Sequence, residues 1–239
     1  HVKWSFEIPS YSFDVTGAAV VKILDIIKNC SPRTKFFQPF SSNIFGNSSK
    51  KTQNETEEFS PLSIYALGKV TAYFACQLYR DIHGLKIYGA IFYNHESEIR
   101  PEEYVTRKIT KSVAKIYYGK QNKLYLGDIK AKIDWGYAKD YVKAAYKIMQ
   151  LSKPDVFVIG SGTSYSVEHF AKKCFQYVGL NYKKYLRVNK KLLRPSKTVS
   201  LIGDSTKAKK TFNFKIETNL DKIVSIMMDN DLKIEMNEK

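Results

Sequence analysis

Helical and strand-like stretches alternate along this chain at short intervals, and that alternation constrains the fold more than any other feature. Asp14 to Asn29 carries apolar residues at Val15, Ala18, Ala19, Ile23, Ile26 and Ile27, the spacing of a one-faced helix. Ser31-Pro32 breaks it. Thr34 to Phe40 is a short aromatic run that reads as a buried strand ending near Ser41. Pro39 lacks the N–H that a central strand needs, which puts it at the strand's end. Asn47 to Ser60 is polar and reads as a surface loop. Ser60-Pro61 then opens a long helix through Asp81, with serine as cap and proline in the first turn, and Gly84 closes it. Leu85 to Tyr93 is a second buried strand. Helix, strand, helix, strand in this order predicts a parallel sheet with crossover helices.

After Asn94 the pattern changes. A charged loop runs to Glu103, a helix follows from about Tyr104 to Tyr118, and Leu124-Tyr125-Leu126 is a short strand. Gly136 to Leu151 reads as an amphipathic helix and Val156 to Ile159 as a strand. Gly160-Ser161-Gly162 lacks the full G-x-G-x-x-G pattern and is a turn; a helix opens at Ser166. A capped turn at Asp204-Ser205-Thr206-Lys207 and a final helix from about Asn219 complete the chain.

The 239 residues are 44% hydrophobic, enough for one large domain or two small ones with real cores. No apolar run reaches the roughly 18 residues of a membrane span. The start, His1-Val2-Lys3-Trp4, has neither a signal peptide nor an initiator methionine, so the expected chain begins part-way into a longer protein. Three widely spaced cysteines, Cys30, Cys76 and Cys174, argue against a disulfide framework or a metal site and for a reducing cytoplasm. The net charge of +16 admits a nucleic-acid binder, yet the lysines are scattered and no nucleic-acid signature is present. A basic cleft for a diphosphate-bearing ligand accounts for the charge as well.

Tyr65-Ala66-Leu67-Gly68-Lys69 falls on the long helix, with Ser41-Ser42 upstream. A lysine four residues after a tyrosine lies on the same helical face. Its charge favours the phenolate, so the tyrosine can take a proton from a sugar hydroxyl. The same spacing also describes an ordinary exposed i,i+4 pair, and tyrosine is common here (17 residues).

Longer motifs separate the two readings. Asn94-His95-Glu96-Ser97, Val105-Thr106-Arg107-Lys108-Ile109 and Asp134-Trp135-Gly136-Tyr137-Ala138-Lys139-Asp140-Tyr141-Val142 closely resemble the GDP-mannose 4,6-dehydratase family of extended short-chain dehydrogenases/reductases. So do Ser5-Phe6-Glu7-Ile8-Pro9 near the start, and Leu193-Arg194-Pro195 with Gly203-Asp204 near the end. The resemblance implies an α/β fold: a Rossmann-like parallel sheet lacking its N-terminal glycine-rich unit, with a smaller C-terminal α/β substrate domain. Residues 1–93 are the expected remainder of the NAD(P)-binding domain, to which 136–160 returns; 94–135 and 161–239 form the expected sugar-nucleotide domain. Without the glycine-rich unit the sheet is expected to expose an apolar edge.

The resemblance also implies roles. Tyr65 is the catalytic base, Lys69 its partner and a contact to the nicotinamide ribose, and Ser41 stands where the family has a catalytic threonine. Tyr11, His95 and Arg100 match cofactor contacts; Asn94, Lys108 and Arg194 match contacts to a GDP-sugar. The implied cofactor is NADP, with NAD as the alternative, the activity is that of a lyase working through transient redox, and a homo-oligomer is expected. Three positions depart from the family. Its catalytic Thr-Ser-Glu is Ser41-Ser42-Asn43, and an amide cannot accept and return a proton at neutral pH. Ile133 replaces a nucleotide-contacting arginine, and Lys197 replaces an acidic residue. Dehydration is therefore expected to be slow or lost. A sugar-nucleotide 4-oxidoreductase or epimerase, or a non-catalytic relic, is the competing expectation.

Overall fold

The computed structural model describes residues 2–193 and 200–238. In chain order the elements are α1 (Trp4–Glu7), α2 (Pro9–Phe13), a π-helical turn (Asp14–Ala18), α3 (Ala19–Cys30), β1 (Phe36–Ser41), a 3-10 turn (Ser42–Phe45) and α4 (Ile64–His83). There follow β2 (Ile87–Phe92), β3 (Asn94–Glu96), α5 (Val105–Tyr117), β4 (Leu124–Leu126), β5 (Lys132–Tyr137), α6 (Ala138–Gln150), β6 (Val156–Ile159) and β7 (Ser164–Ser166). The chain closes with α7 (Val167–Tyr177), α8 (Tyr182–Tyr185), β8 (Leu186–Val188), a 3-10 turn (Lys190–Leu192), α9 (Thr206–Phe212) and α10 (Leu220–Asn237). These elements form two compact units.

The first unit comprises His1–Tyr93, Tyr141–Gly162 and Leu201–Lys215. Its sheet is all parallel in the order β1-β2-β6. The middle strand, Ile-Tyr-Gly-Ala-Ile-Phe, is buried along almost its whole length, as a parallel strand covered on both faces must be. The α4 helix connects β1 to β2 and begins at Ser63, whose Oγ accepts the Ala66 N–H at 3.1 Å. The expected start at Ser60-Pro61 is thus three residues early: Ser60 instead donates its N–H to Ile44 O at 2.9 Å and ends the loop. Gly84 closes the helix with φ +65°. Gly68, between Tyr65 and Lys69, is where α4 meets the π-helical turn; a Cβ there would stand 2.2 Å from Thr16 Oγ1.

Pro39 lies inside β1, not at its end. The parity of the ladder explains why it fits. Phe36 donates to Lys86 O of the segment leading into β2, so odd-numbered residues of β1 point their backbone groups away from β2. Pro39 therefore occupies an outer-edge position, where no N–H is required by β2. Its carbonyl accepts Lys69 Nζ at 2.9 Å and Gln38 Nε2 at 3.0 Å. The opposite edge is covered by the loop after β1. Glu55 Oε1 accepts the Val158 N–H at 2.7 Å. Buried Gln53 pins the loop, accepting Tyr93 OH and Ile202 N–H at 3.0 Å each and donating to Lys50 O at 2.7 Å.

The second unit comprises Asn94–Asp140, Thr163–Ser200 and Ile216–Lys239. It holds a β3-β5-β7 sheet and a separate β4-β8 pair. Gly136 and Tyr137 belong to β5, so the helix expected from Gly136 starts at Ala138. Ile109, Val113, Trp135, Phe170, Cys174, Met227 and Met228 are among its buried core residues. Two polar groups are built into this core. Asp231 accepts Arg107 Nη2 at 2.7 Å and Thr110 Oγ1 at 2.6 Å, joining α10 to α5. Asp140 accepts the Glu217 and Thr218 N–H groups at 3.2 and 3.0 Å, which places the entry to α10.

Candidate functional site

Ser41 is the last residue of β1, at the carboxyl end of a parallel strand, where open α/β sheets bind their ligands. Its side chain is buried and fixed. Ser41 Oγ accepts the backbone N–H of Asn43 at 3.3 Å and the Asn43 side-chain Nδ2 at 3.0 Å. The serine thereby caps the 3-10 turn that follows. Lys69 reaches the same strand two residues upstream, through Pro39 O. Its ammonium lies 5.9 Å from the centre of the Tyr65 ring. Lys69 therefore lies between the Tyr65 ring and the edge of β1 at Pro39. Burial pushes the Lys69 pKa below the ordinary lysine range, and the Cys76 thiol on the same helix raises it only in part. Among the described residues Lys69 has no carboxylate partner.

Tyr11 also lies in the first unit, on α2, with 66% of its surface exposed. The remaining sequence candidates are in the second unit. Asn94 and His95 are on β3, opposite Trp135 and Gly136 of β5. Arg100 is held within that unit: its Nε is 3.0 Å from Glu96, its Nη1 donates to His95 O, and its guanidinium stacks 3.8 Å over the Tyr104 ring. Lys108 is half-buried on α5, burial lowers its pKa, and no acidic partner faces it among the described residues. A cation so placed suits an anionic ligand. Arg194 and Lys197 lie outside the described residues. Ile133 stands opposite Tyr165 across β5 and β7, and Tyr165 stacks on His169 with ring centres 5.3 Å apart.

Two features of the site escaped sequence reasoning. One is the tie from Lys69 to Pro39, which depends on a strand edge that no local pattern specifies. The other is the clasp of Asn43 on Ser41. The Ser-x-Asn spacing is compatible with a side-chain-to-backbone turn and is the one local signal for it.

The three thiols differ in reactivity. Cys30 is exposed, whereas Cys76 and Cys174 are buried. Burial pushes the Cys76 pKa up to about 12 and raises that of Cys174 as well. At pH 8 neither buried group offers thiolate, so a chromogenic disulfide reagent is expected to titrate one thiol per folded chain and three after unfolding. Two fast thiols in the folded protein would contradict this burial.

A family described as GDP-mannose 4,6 dehydratase matches residues 1–227. GDP-mannose 4,6 dehydratase 2 of Arabidopsis thaliana is 40% identical over 243 residues, covering 100% of this chain and 65% of the relative. GDP-mannose 4,6 dehydratase of Homo sapiens is 36% identical over 253 residues, covering 98% of this chain and 68% of the relative. The chain thus spans about two thirds of the length of these relatives. Among solved structures, RMD from Pseudomonas aeruginosa complexed with NADPH superposes with a TM-score of 0.89 at 16% identity, covering 98% of this chain and 78% of that one. The dTDP-glucose 4,6-dehydratase of Bacillus anthracis in complex with NAD gives 0.81 at 17% identity, covering 95% and 69%. At these identities the two structures speak for the fold alone.

Proposed function

This chain belongs to the GDP-mannose 4,6 dehydratase family, and from that membership we propose that it acts at C4 of a GDP-sugar with NADP as cofactor. The observation that carries this reading is the Lys69 ammonium held between the Tyr65 ring, 5.9 Å away, and the Pro39 carbonyl of β1, the strand that ends at Ser41. The described residues fit the nicotinamide end of such a cofactor. Lys69 offers a desolvated ammonium without a carboxylate partner, suited to ribose hydroxyls. A bound nicotinamide supplies hydride exchange with a carbinol or carbonyl carbon. The chain's own residues supply the proton chemistry. Tyr65 exchanges the proton at the C4 oxygen, Lys69 keeps positive charge beside the phenol, and Ser41 hydrogen-bonds the same oxygen. Asn94 and Lys108 are the proposed sugar-nucleotide contacts of the second unit, with Arg194 the third by resemblance. Tyr11, His95 and Arg100 are the proposed outer cofactor contacts, Arg100 acting through its hold on the His95 carbonyl.

Dehydration at C5–C6 needs a group that takes the C5 proton, and Asn43 has none to take it with. General acid–base help is typically worth about 10²–10⁴-fold, so the lyase outcome is strongly attenuated and C4 oxidoreduction is the activity that survives. Mass spectrometry of GDP-mannose after incubation with NADP and the enzyme decides. A 4-keto product that keeps its 6-hydroxyl is expected; a 4-keto-6-deoxy product at family-like rates would refute the role given to residue 43. Absence of any GDP-mannose or NADP binding in calorimetry would favour the relic. The three unpaired cysteines suit a reducing, cytoplasmic setting. No helix among the described residues is long and apolar enough to cross a membrane.

We further propose a homodimer through α3 and α4. Leu67, Phe74, Leu78 and Ile82 line one side of α4 and remain 42%, 54%, 51% and 68% exposed, and Ile23 and Ile26 of the neighbouring α3 remain 42% and 60% exposed. That stripe follows i, i+7, i+11, i+15, the spacing of a helix-packing seam. A self-complementary patch of this kind closes as a two-fold pair. Light scattering after gel filtration is expected to give a dimer mass, and Phe74→Asp combined with Leu78→Asp a monomer. A monomeric parent protein would sink the assignment.

A further inference from the structure

Cations are spread along the whole chain, but acids are not. Residues 169–203 hold nine lysines and arginines and no aspartate or glutamate. Five of these cations, Lys183, Lys184, Arg187, Lys190 and Lys191, fall on α8, β8 and the 3-10 turn that follows, and all five are exposed. Two carboxylates of neighbouring segments are engaged elsewhere. Glu168 accepts Tyr182 OH at 3.2 Å, and Asp128 accepts the Lys130 and Ala131 N–H groups at 2.9 and 3.1 Å. The segment is tied down through its backbone. Lys123 Nζ donates to Lys184 O and the Asn189 N–H to Leu126 O, each at 2.8 Å, and the turn lies so close that a Cβ at Gly127 would stand 2.6 Å from Leu192 O. Because β8 pairs in parallel with β4, Tyr125 and Arg187 stand opposite one another, on the face away from buried Leu124 and Leu126. Arg187 Nη1 folds back onto Lys183 O at 3.1 Å. Apolar side chains are interspersed with the charge: Tyr125, Val188, Leu192 and Leu193 are 44–55% exposed.

We propose that this β4–β8 ribbon, with α8 and the 3-10 turn, is a docking surface for an anionic membrane, which it meets from the water side without spanning it. Charge complementarity selects the partner. A cation at an acidic lipid surface strengthens attachment roughly fivefold, so five unopposed cations on one short segment act together. Lysine stems lie along apolar surface while their ammonium groups reach the phosphates, which lets Val188, Leu192 and Leu193 enter the headgroup–acyl boundary. A nucleic acid would match the charge equally well but gives half-exposed aliphatic side chains nothing to enter. Single-stranded nucleic acid is held on aromatic platforms instead. Here Tyr182 and Tyr185 pack inward on the core, which leaves Tyr125 as the outward aromatic of the ribbon.

The test is co-sedimentation of the full chain with phosphatidylcholine vesicles containing about 30% phosphatidylserine, against vesicles of phosphatidylcholine alone. At physiological ionic strength the anionic vesicles are expected to bind at least about 50-fold more tightly. Combining Lys183→Glu, Lys184→Glu, Lys190→Glu and Lys191→Glu is expected to abolish that binding. Combining Lys147→Glu, Lys153→Glu, Lys209→Glu and Lys210→Glu changes the net charge equally but away from the ribbon. This second set is expected to weaken binding by no more than about fivefold, because the attraction fades within a Debye length of the surface. Leu192→Ser with Leu193→Ser is expected to lower by about tenfold the binding that remains at raised salt. Lys190→Glu with Lys191→Glu, expected to lose about 25-fold, decides the matter should the larger ribbon variant fail to fold. Equal binding to the two vesicles, or equal losses from the two lysine sets, would overturn the proposal. So would a single-stranded uridine oligonucleotide that binds more tightly than the anionic vesicles and is indifferent to the leucine changes.

Discussion

Replacing Tyr65 with phenylalanine is expected to slow turnover of a GDP-sugar by about 10²–10⁴-fold, the span typical of a lost general acid–base group. The change removes one oxygen from a helix face and leaves the ring that Lys69 approaches, at 5.9 Å, in place. Sugar-nucleotide affinity is expected to stay within about twofold, because the proton transfer is felt in the transition state and not in the bound ground state. Lys69→Met should behave differently. It removes the cation beside the phenol and one of the two donors to the Pro39 carbonyl at the outer edge of β1, so both rate and stability fall. The alkaline side of the rate profile carries a second check. Burial lowers the Lys69 pKa, so its charge is lost at a lower pH than for an exposed lysine, and the rate that depends on that charge declines earlier as pH rises. Steady-state kinetics across pH measures the rates, and thermal unfolding measures the stability of Lys69→Met. A Tyr65→Phe enzyme with parental kcat would end the redox reading.

Asp231→Ala is expected to destabilise the second unit by about 3–5 kcal/mol, the usual penalty for breaking a buried ion pair by deleting one partner. Asp231 is 1% exposed and meets Arg107 and Thr110, so its loss leaves the Arg107 charge without its carboxylate inside the α5–α10 contact. Replacing the whole set at once, with Arg107→Met, Thr110→Val and Asp231→Leu, is expected to recover part of that loss, since the two charges leave together while the Glu98 and Arg100 carbonyls lose the Arg107 donor. Urea denaturation of the three proteins separates the cases; equal midpoints for Asp231→Ala and its parent would refute the coupling. Acidity acts in a defined direction here. Burial raises the pKa of Asp231 above its ordinary 3.8 and that of Glu96 above 4.5, with Arg107, Arg100 and their hydroxyl partners opposing it. A raised folded value means the native state holds the proton more tightly than the unfolded chain. The contribution of these two groups is therefore fully present below those ordinary values and is lost as pH rises through the folded ones.

Much of the fold can be read from short stretches because it is locally encoded. Ser166 and Asn219 accept amides three residues on, as helix caps should, and Gly84 turns left-handed at the end of α4. The buried run of β2 announces a parallel strand. Where reading failed, a distant partner was responsible. Ser60 looked like a cap until its N–H was taken by Ile44, which left Ser63 to start α4. The strands β5 and β7 carry weak local signals and exist through pairing, β7 with the start of β5 and β3 with its end, where Gly136 is drawn opposite His95 instead of into a helix.

The sequence by itself determined the family, the α/β alternation and the placing of Tyr65 and Lys69 on one helical face, since all three follow from motifs or from the 3.6-residue period. Only the tertiary structure decided what those side chains meet. Pro39 became an outer-edge residue whose carbonyl holds Lys69, Asn43 closed on Ser41, and Arg107 found Asp231 on another helix. The physical reason is range. Helical period and capping act over a few residues, whereas a strand edge, a desolvated ammonium or a buried ion pair depends on groups that become neighbours only after the chain has packed.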